Sequence, residues 1–189
     1  MIAWVLFAVA LGLLAISIYR VRTDLRRDDL LTRSTAVAVW LTYIVHGAAV
    51  LWAAIARVWP IPLSEISAHR LGGVLIVVGA VVVFAAVWEF RSLARMSGRR
   101  TDKLVTTGPY RYSRNPQNVG WFLGLLGIAV YGRSSAALLF AALLLAAFRA
   151  YVPIEEKHLE RVYGTEWQRY RQHTPRFLGL RHGGSREPD

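Results

Sequence analysis

The chain has 189 residues, 54% of them hydrophobic, and a formal net charge of +11 at pH 7. The apolar residues form long blocks between short Arg-rich segments, a pattern that indicates a multi-pass membrane protein and argues against a soluble domain. Basic residues beside apolar spans report topology and anionic lipid headgroups, so we do not interpret the charge as a nucleic-acid site. The absence of cysteine excludes disulfides, thiolate metal ligands and a cysteine nucleophile.

Three apolar blocks occupy residues 1–90. The first, residues 2–19, is long enough to cross a bilayer, and its Arg cluster follows it, an order that favours a membrane anchor over a signal peptide. The second, residues 35–59, ends close to two prolines, which stop a helix. The third covers residues 71–90. We therefore predict three transmembrane helices in this half.

Two shorter apolar blocks lie close together in residues 91–178. Residues 119–131 would cover only about 20 Å as a helix, against a bilayer core of about 30 Å, and residues 136–152 follow after a short turn. We predict a helical hairpin that begins inside the polar face and turns near the opposite interface. We expect Gly120, Gly124 and Gly127 to face the Ala-rich second arm, because small residues let helices approach closely in lipid.

The distribution of Lys and Arg predicts the orientation. The segments after the first, third and fifth blocks carry five, seven and seven of these residues, and Arg57, Arg70 and Arg133 belong to the other side. With five crossings, the N-terminus lies outside the cell membrane and the C-terminus in the cytoplasm. The predicted fold is an all-α bundle of about five transmembrane helices plus a cytoplasmic amphipathic helix.

We expect residues 1–180 to form a single domain. The amphipathic helix follows residue 152, where apolar sequence gives way to a mixture of charged and apolar residues. Residues 181–189 have the composition of a disordered tail.

The polar stretch before the hairpin is rich in turn formers, donors and aromatic rings. Its Gly-Pro and Asn-Pro pairs require sharp turns, Arg111 and Arg114 carry planar donor forks, and Tyr110 and Tyr112 offer stacking faces. Such a loop can hold a ligand that has an aromatic base and a carboxylate. An interfacial loop with Tyr belts and positive-inside arginines has the same composition, so both interpretations remain open at this point.

A second polar stretch begins where the last apolar block ends. Glu155 and Glu156 lie at the predicted membrane edge, where a carboxylate is costly unless it is paired or used. The alternative is ordinary pairing with Arg149 or Lys157. His158 follows Glu155 at a spacing compatible with metal chelation, but without further ligands nearby we expect no metal site.

Few polar residues lie within the apolar blocks. His46, midway along the second block, needs a partner or a water-filled cavity, and we expect an interhelical hydrogen bond. Glu89 lies at the polar end of the third block. Either residue could line a cavity.

Together, the two polar stretches resemble a known pattern. The motifs Leu-Val-Thr-Thr-Gly-Pro-Tyr-Arg-Tyr-Ser-Arg-Asn-Pro, Glu-Glu-x-x-Leu-x-x-x-Tyr-Gly-x-x-Trp-x-x-Tyr and Thr-Pro-Arg-Phe, with a hairpin after the first, are similar to those of the isoprenylcysteine carboxyl methyltransferase family. Phosphatidylethanolamine and other phospholipid methyltransferases share this C-terminal signature. The resemblance covers residues 95–178, about half of the chain.

The resemblance implies an integral membrane methyltransferase that binds S-adenosylmethionine at the cytoplasmic face. Its acceptor would be a lipidic or small hydrophobic molecule that offers a carboxylate or an amine and arrives sideways from the lipid bilayer. The implied catalytic or acceptor-side residues are Arg149, Tyr151 and Glu156. The implied cofactor-binding residues are Lys103, Leu104, Val105, Gly108, Tyr110, Arg111, Arg114, Asn115, Pro116, Gln117, Asn118 and Glu155.

The chain departs from this family in one place. The family usually has Arg-His-Pro-x-Tyr where this chain has Arg-Asn-Pro-Gln-Asn at residues 114–118. Asn115 can replace the hydrogen bonding of a neutral His but cannot take up a proton near neutral pH. Asn118 lacks the aromatic ring of the family's Tyr.

S-adenosylmethionine carries its own activated methyl group, so the protein needs neither a nucleophile nor a metal and acts by alignment in a dry pocket. A carboxylate acceptor needs no base, whereas an amine must lose a proton, for which His158 and Glu156 are the nearest candidates. Two other classes remain: an NADPH-dependent membrane reductase of the sterol-reductase type, and a non-catalytic lipid-binding module.

Overall fold

The computed structural model describes residues 1–27, 30–90 and 104–179. The described residues form six α-helices and one 3-10 turn, without a β-strand. The helices are α1 (Ile2–Arg27), α2 (Arg33–Ile55), α3 (Glu65–Phe90), α4 (Pro116–Tyr131), α5 (Ser135–Tyr163) and α6 (Thr165–His173), and the turn is Gly108–Arg111. The predicted tail at residues 181–189 lies outside the described residues.

Four of these helices, α1, α2, α3 and α5, are long and apolar enough to cross a membrane. The predicted all-α multi-pass bundle is therefore confirmed. Helix α4, the predicted short arm of the hairpin, has 16 residues and would cover about 24 Å, less than a bilayer core of about 30 Å. A fifth crossing therefore depends on what surrounds α4.

The turn between α4 and α5 lies beside the loop between α2 and α3. The backbone N–H of Ile61 donates to the carbonyl oxygen of Arg133 (2.8 Å), and that of Ser135 donates to Trp59 (3.0 Å). Helix α4 therefore reaches the same end of the bundle as α2. We call this the loop end, and we call the other end, where α1 and α3 finish, the basic end.

Helices α3 and α4 pack through glycines. A Cβ atom on Gly79 would lie 2.6 Å from the carbonyl oxygen of Gly120, and one on Gly127 would lie 2.8 Å from that of Gly72. The prediction that the α4 glycines face the Ala-rich arm of the hairpin is therefore wrong. Gly72 and Gly79 stand two turns apart on one face of α3, as Gly120 and Gly127 do on α4, so these two faces fit each other.

His46 joins α2 to α5 inside the bundle. Its side chain is 1% exposed, and its Nε2 atom lies 3.0 Å from the carbonyl oxygen of Phe140. The expected interhelical hydrogen bond of His46 is therefore confirmed.

Candidate functional site

A cavity of about 270 Å³ opens at the basic end of the bundle. Its walls come from the basic ends of α1, α2 and α3, the first turns of α4, the second half of α5, and α6. Nine of the predicted catalytic and cofactor-binding residues line it: Leu104, Val105, Tyr110, Arg114, Asn115, Gln117, Asn118, Tyr151 and Glu155. The two separated polar stretches therefore converge on one space.

The first polar stretch is fixed at the end of α3 by Glu89. Gly108 has a φ of +55°, and a Cβ atom there would collide with the Glu89 carboxylate, so both backbone and space require glycine. The hydroxyl of Thr107 donates to the same carboxylate. Glu89 therefore holds this loop at the end of α3, and Gly108 supplies the left-handed backbone conformation of the turn.

Glu155 supplies a carboxylate to the cavity wall. It is half-buried, and no described side chain donates a hydrogen bond to it or forms an ion pair with it. Tyr43 and Tyr151 line the same cavity. A carboxylate held at a membrane edge without a partner is expensive, and it indicates a position where a ligand supplies the partner.

Three polar atoms in the cavity wall also lack partners. Tyr110 Oη, Arg114 Nε and Trp167 Nε1 are buried and make no hydrogen bond within the described part of the chain. Burial raises the pKa of Tyr110 above its ordinary value, so its hydroxyl remains a donor. Because each unsatisfied buried donor costs about 1–3 kcal/mol, these atoms mark positions where a polar ligand fits.

Glu156 is held by two arginines and does not line the cavity. Its carboxylate accepts hydrogen bonds from Arg176 (Nη2 at 2.6 Å, Nε at 3.1 Å) and pairs with Arg114 (Nη2 at 2.9 Å). Arg114 also donates to the carbonyl oxygen of Arg171 (3.0 Å) and lies 5.8 Å from the ring centre of Trp167. We call Arg114, Glu156 and Arg176 the arginine clasp.

The arginine clasp fixes the last described residues and α6 over the basic end of the cavity. Hydrogen bonding to Glu156 raises the pKa of Arg176, whereas burial lowers that of Arg114. Arginine loses its proton too rarely in proteins for either shift to remove the charge. In the clasp, one buried carboxylate thus pairs with two cations, of which Arg114 is buried and Arg176 is partly exposed.

Asn115 connects the beginning of α4 to the segment that follows α6. Its side-chain amide donates to the carbonyl oxygen of Arg176 (3.0 Å), and its backbone N–H donates to Ser113 Oγ (3.1 Å). The Asn118 amide lies 3.4 Å from Asn115 Oδ1. At the position where the resembled family has His, this chain thus has an amide that is already engaged in a structural hydrogen bond.

Three other predicted residues, among those the structure describes, lie away from the cavity or support it indirectly. Arg111 and Arg149 are exposed and do not line it. Pro116 is buried in the first turn of α4, where its fixed φ suits a helix start. Lys103 lies outside the described residues.

Sequence reasoning missed the walls that the first half of the chain contributes. Trp40 and Tyr43 stand three residues apart on α2 and line the cavity, as do Val83 and Val87 on α3. An aromatic pair at i, i+3 near the basic end of an apolar block was the available signal. It was ambiguous, because aromatic residues at such a depth are also typical of interfacial belts.

Comparison with known proteins gives a family and several relatives. The profile of a family described as phospholipid methyltransferase matches residues 67–166, just over half of the chain. The nickel-cobalt-cadmium resistance protein NccN of Alcaligenes xylosoxydans xylosoxydans is 33% identical over 57% of this chain and 51% of its own length. The protein-S-isoprenylcysteine O-methyltransferase of Schizosaccharomyces pombe is 36% identical over 49% of this chain and 39% of its own length.

A longer alignment has lower identity. Protein-S-isoprenylcysteine O-methyltransferase A of Arabidopsis thaliana is 23% identical over 90% of this chain and 86% of its own length. The chain spans about half, or less, of the length of the two relatives named before it. No solved structure matches the chain.

Proposed function

The chain belongs to the phospholipid methyltransferase family, and we propose that it is a membrane methyltransferase that uses S-adenosylmethionine. The observation that carries this proposal is the convergence, in one cavity, of the Glu155 carboxylate with the Tyr110 and Trp167 donors, all three without a hydrogen-bonding or ion-pair partner among the described residues. When bound, S-adenosylmethionine supplies an activated methyl group. The remaining task of the chain is to align the two reactants and exclude water.

The residues of the cavity fit this cofactor. Its ammonium group and ribose hydroxyls need an acceptor, which Glu155 offers. Its carboxylate needs donors, which the Tyr110 hydroxyl and the Trp167 indole N–H offer. Its adenine needs a flat apolar surface, and Leu104, Val105 and several aromatic rings line the same space.

Water exclusion follows from the packing at the basic end. Helix α6 lies over the cavity because Tyr170 donates a hydrogen bond to the Tyr110 carbonyl oxygen (2.7 Å) and because the arginine clasp holds the residues after α6. A covered, low-dielectric cavity strengthens every polar contact made inside it. In this proposal Glu156 acts by positioning this cover.

We propose that the acceptor reaches the cavity from the bilayer. Helices α2 and α3 both line the cavity, yet they share no extensive contact within the described residues, and α4 packs against both. Apolar residues on both helices are exposed, such as Trp40 on α2 and Phe84 on α3, so an opening between α2 and α3 would face lipid. A lipidic acceptor suits this path, since it can enter the bundle without leaving apolar surroundings.

Both a carboxylate and an amine acceptor remain compatible with the cavity. The relatives from Schizosaccharomyces pombe and Arabidopsis thaliana are named for O-methylation of isoprenylcysteine, and a carboxylate oxygen needs no base. An amine must lose a proton. For that reaction His158, which is 4% exposed and lines the cavity, is the candidate proton acceptor, about one turn of α5 from Glu155.

The two ends of the bundle lie on opposite sides of the membrane in this proposal. We propose that the basic end lies on the cytoplasmic side of the cell membrane, because the arginines at and after the ends of α1 and α3 favour this orientation by the positive-inside rule. The cofactor then arrives from the cytoplasm and the acceptor from the bilayer.

Calorimetric titration of the detergent-purified protein with S-adenosylhomocysteine and with NADPH tests the proposal. We expect micromolar binding of S-adenosylhomocysteine, loss of that binding in Glu155→Ala, and no change in Glu160→Ala. Glu160 lies on the same helix but does not line the cavity. Binding of neither compound would remove both enzyme hypotheses and leave a lipid-binding module, and binding of NADPH alone would favour a reductase.

A further inference from the structure

A second cavity, of about 30 Å³, adjoins the first and is lined by residues of α1, α2 and α5. Three residues line both cavities: Val39, Tyr43 and Tyr151. The two spaces are therefore neighbours, separated by these side chains. The residues that line only the small cavity include Leu14, Ser17, Val21, Thr42, Leu144 and Phe148.

The small cavity is apolar although two hydroxyl groups reach it. The oxygens of Ser17 and Thr42 lie 2.8 Å apart, and the Thr42 hydroxyl lies 2.8 Å from the carbonyl oxygen of Ala38. These hydroxyls are thus satisfied by each other and by the backbone. An apolar cavity of this kind stays dry and accepts apolar atoms, and its volume is roughly that of one water-sized or methyl-sized group.

The small cavity lies deeper in the apolar part of the bundle than the polar wall of the first. Leu144 precedes Tyr151 by two turns of α5, so it lies about 10 Å farther from the basic end. Glu155 lies one turn from Tyr151 in the opposite direction. A ligand with a polar head near Glu155 and an apolar tail would therefore point its tail toward the small cavity.

Tyr43 stands at the boundary between the two spaces. Its ring packs edge-on against Trp121, which lines only the first cavity (6.1 Å between ring centroids), and lies tilted beside Phe148, which lines only the small one (6.2 Å). The Tyr43 ring therefore helps to separate the two cavities, and its removal would widen a passage between them.

We propose that the small cavity receives the far end of the acceptor's apolar tail and that Tyr43 forms the constriction that limits tail length. This inference rests on the proposed function, because it assumes an acceptor whose polar head lies near Glu155. Tyr43 thereby becomes a specificity-determining residue, and Ala147, which also lines the small cavity, becomes a second position at which its size can be changed.

The test uses a graded series of acceptors: N-acetyl-S-geranyl-, S-farnesyl- and S-geranylgeranyl-L-cysteine. Methyl transfer from S-adenosylmethionine is measured for the wild type and three variants. Tyr43→Ala should raise the kcat/KM ratio of the longest to the shortest acceptor at least tenfold, since it widens the passage. Ala147→Leu, which fills the small cavity, should lower that ratio. Tyr43→Phe, which keeps the ring and removes only the hydroxyl, should leave it unchanged.

Photolabelling provides a measurement that needs no turnover. A long-chain fatty alcohol with a terminal diazirine should label Leu14, Ser17 and Val21, which are buried, as well as Ile16 and Tyr19, which face the lipid. The Ala147→Leu variant should lose labelling at the three buried positions and keep it at the two exposed ones.

Two results overturn the inference while leaving the proposed function intact. One is an unchanged tail preference in Tyr43→Ala and Ala147→Leu. The other is labelling confined to the lipid-facing positions, in protein that still binds S-adenosylhomocysteine. If the wild type does not bind S-adenosylhomocysteine, the proposed function itself is overturned, so the two failures are distinguishable.

Discussion

At the scale of single residues, two consecutive carboxylates on α5 have opposite surroundings. Neighbouring residues on a helix point about 100° apart, so Glu155 faces the cavity while Glu156 faces the segment that follows α6. The first lacks a partner among the described side chains, and the second holds both Arg114 and Arg176. We therefore propose that Glu155 binds the ligand and that Glu156 has a positioning role.

Replacing Glu156 by Gln should lower the free energy of unfolding by about 3 kcal/mol, because it leaves Arg114 buried without its counter-charge. Thermal unfolding in detergent, followed by circular dichroism, measures this loss. Glu160→Gln is the matched control, since the ion pair of Glu160 with Arg171 is solvent-exposed (3.6 Å) and should contribute less than about 1 kcal/mol. Equal losses in the two variants would show that the clasp is no more important than a surface pair.

Replacing Tyr110 by Phe should separate stability from binding. The Tyr110 hydroxyl is buried without a partner in the described structure, so its removal should leave the ligand-free protein equally stable or stabilise it by about 1 kcal/mol. The same change should weaken S-adenosylhomocysteine binding about tenfold, equivalent to about 1.4 kcal/mol. Calorimetry and thermal unfolding of one preparation give both values.

Tyr170→Phe is the control for this pair of effects. The Tyr170 hydroxyl donates to the Tyr110 carbonyl oxygen, so its loss should destabilise the ligand-free protein by about 1 kcal/mol. If Tyr110→Phe destabilised the ligand-free protein to the same degree, the Tyr110 hydroxyl would be a structural group and not a ligand contact.

At the scale of helices, the contact between α3 and α4 determines where the cavity lies. A Cβ atom on Gly120 would lie 2.8 Å from the backbone N of Val83. The first turn of α4 therefore lies level with a part of α3 that precedes its last residue, Phe90. The end of α3 therefore projects beyond α4. The loop of residues 104–115 occupies that level and carries its polar groups into the bundle.

Gly79→Ala should separate α3 from α4 and lower the free energy of unfolding by about 1–3 kcal/mol, because the added methyl would meet backbone atoms of α4. Gly73→Ala tests the same change on the same helix where a Cβ atom has open space, and it should be neutral or stabilise by up to about 1 kcal/mol through helix propensity. The two unfolding midpoints are compared in one detergent. Equal effects would mean that the glycine contact does not hold the two helices together.

At the scale of the whole molecule, the short α4 is compatible with a multi-pass bundle because its far end lies beside the loop between α2 and α3. The two ends of the bundle then differ in their arginine content. The loop end has few arginines, and the basic end has the arginine clusters and the cavity. An orientation in the membrane therefore also predicts the side from which the cofactor arrives.

The absence of cysteine makes this orientation directly measurable with single introduced cysteines. Ser64→Cys lies in the exposed loop before α3, and Thr165→Cys lies on the exposed face of α6. In intact cells, a membrane-impermeant maleimide should label only Ser64→Cys, and Thr165→Cys should react only after permeabilisation. The reverse pattern would contradict the positive-inside assignment.

The sequence by itself determined the class of the fold and the two stretches that form the cavity. Long apolar blocks can only become membrane helices, since every backbone polar group must be satisfied within lipid. The motif around residues 104–118 and the Glu pair on α5 are local in sequence. Their residue types already indicated a shared polar ligand.

Only the tertiary structure decided where each of those residues lies and what it contacts. Glu155 and Glu156 are adjacent residues of the same type, and their different surroundings follow from which face of α5 meets the segment after α6. The partner of the α4 glycines, the walls contributed by Trp40 and Tyr43, and the small cavity behind Tyr43 all arise from contacts between helices distant in the chain. Such contacts depend on how apolar faces of similar composition pack together, and hydrophobic periodicity does not specify which faces meet.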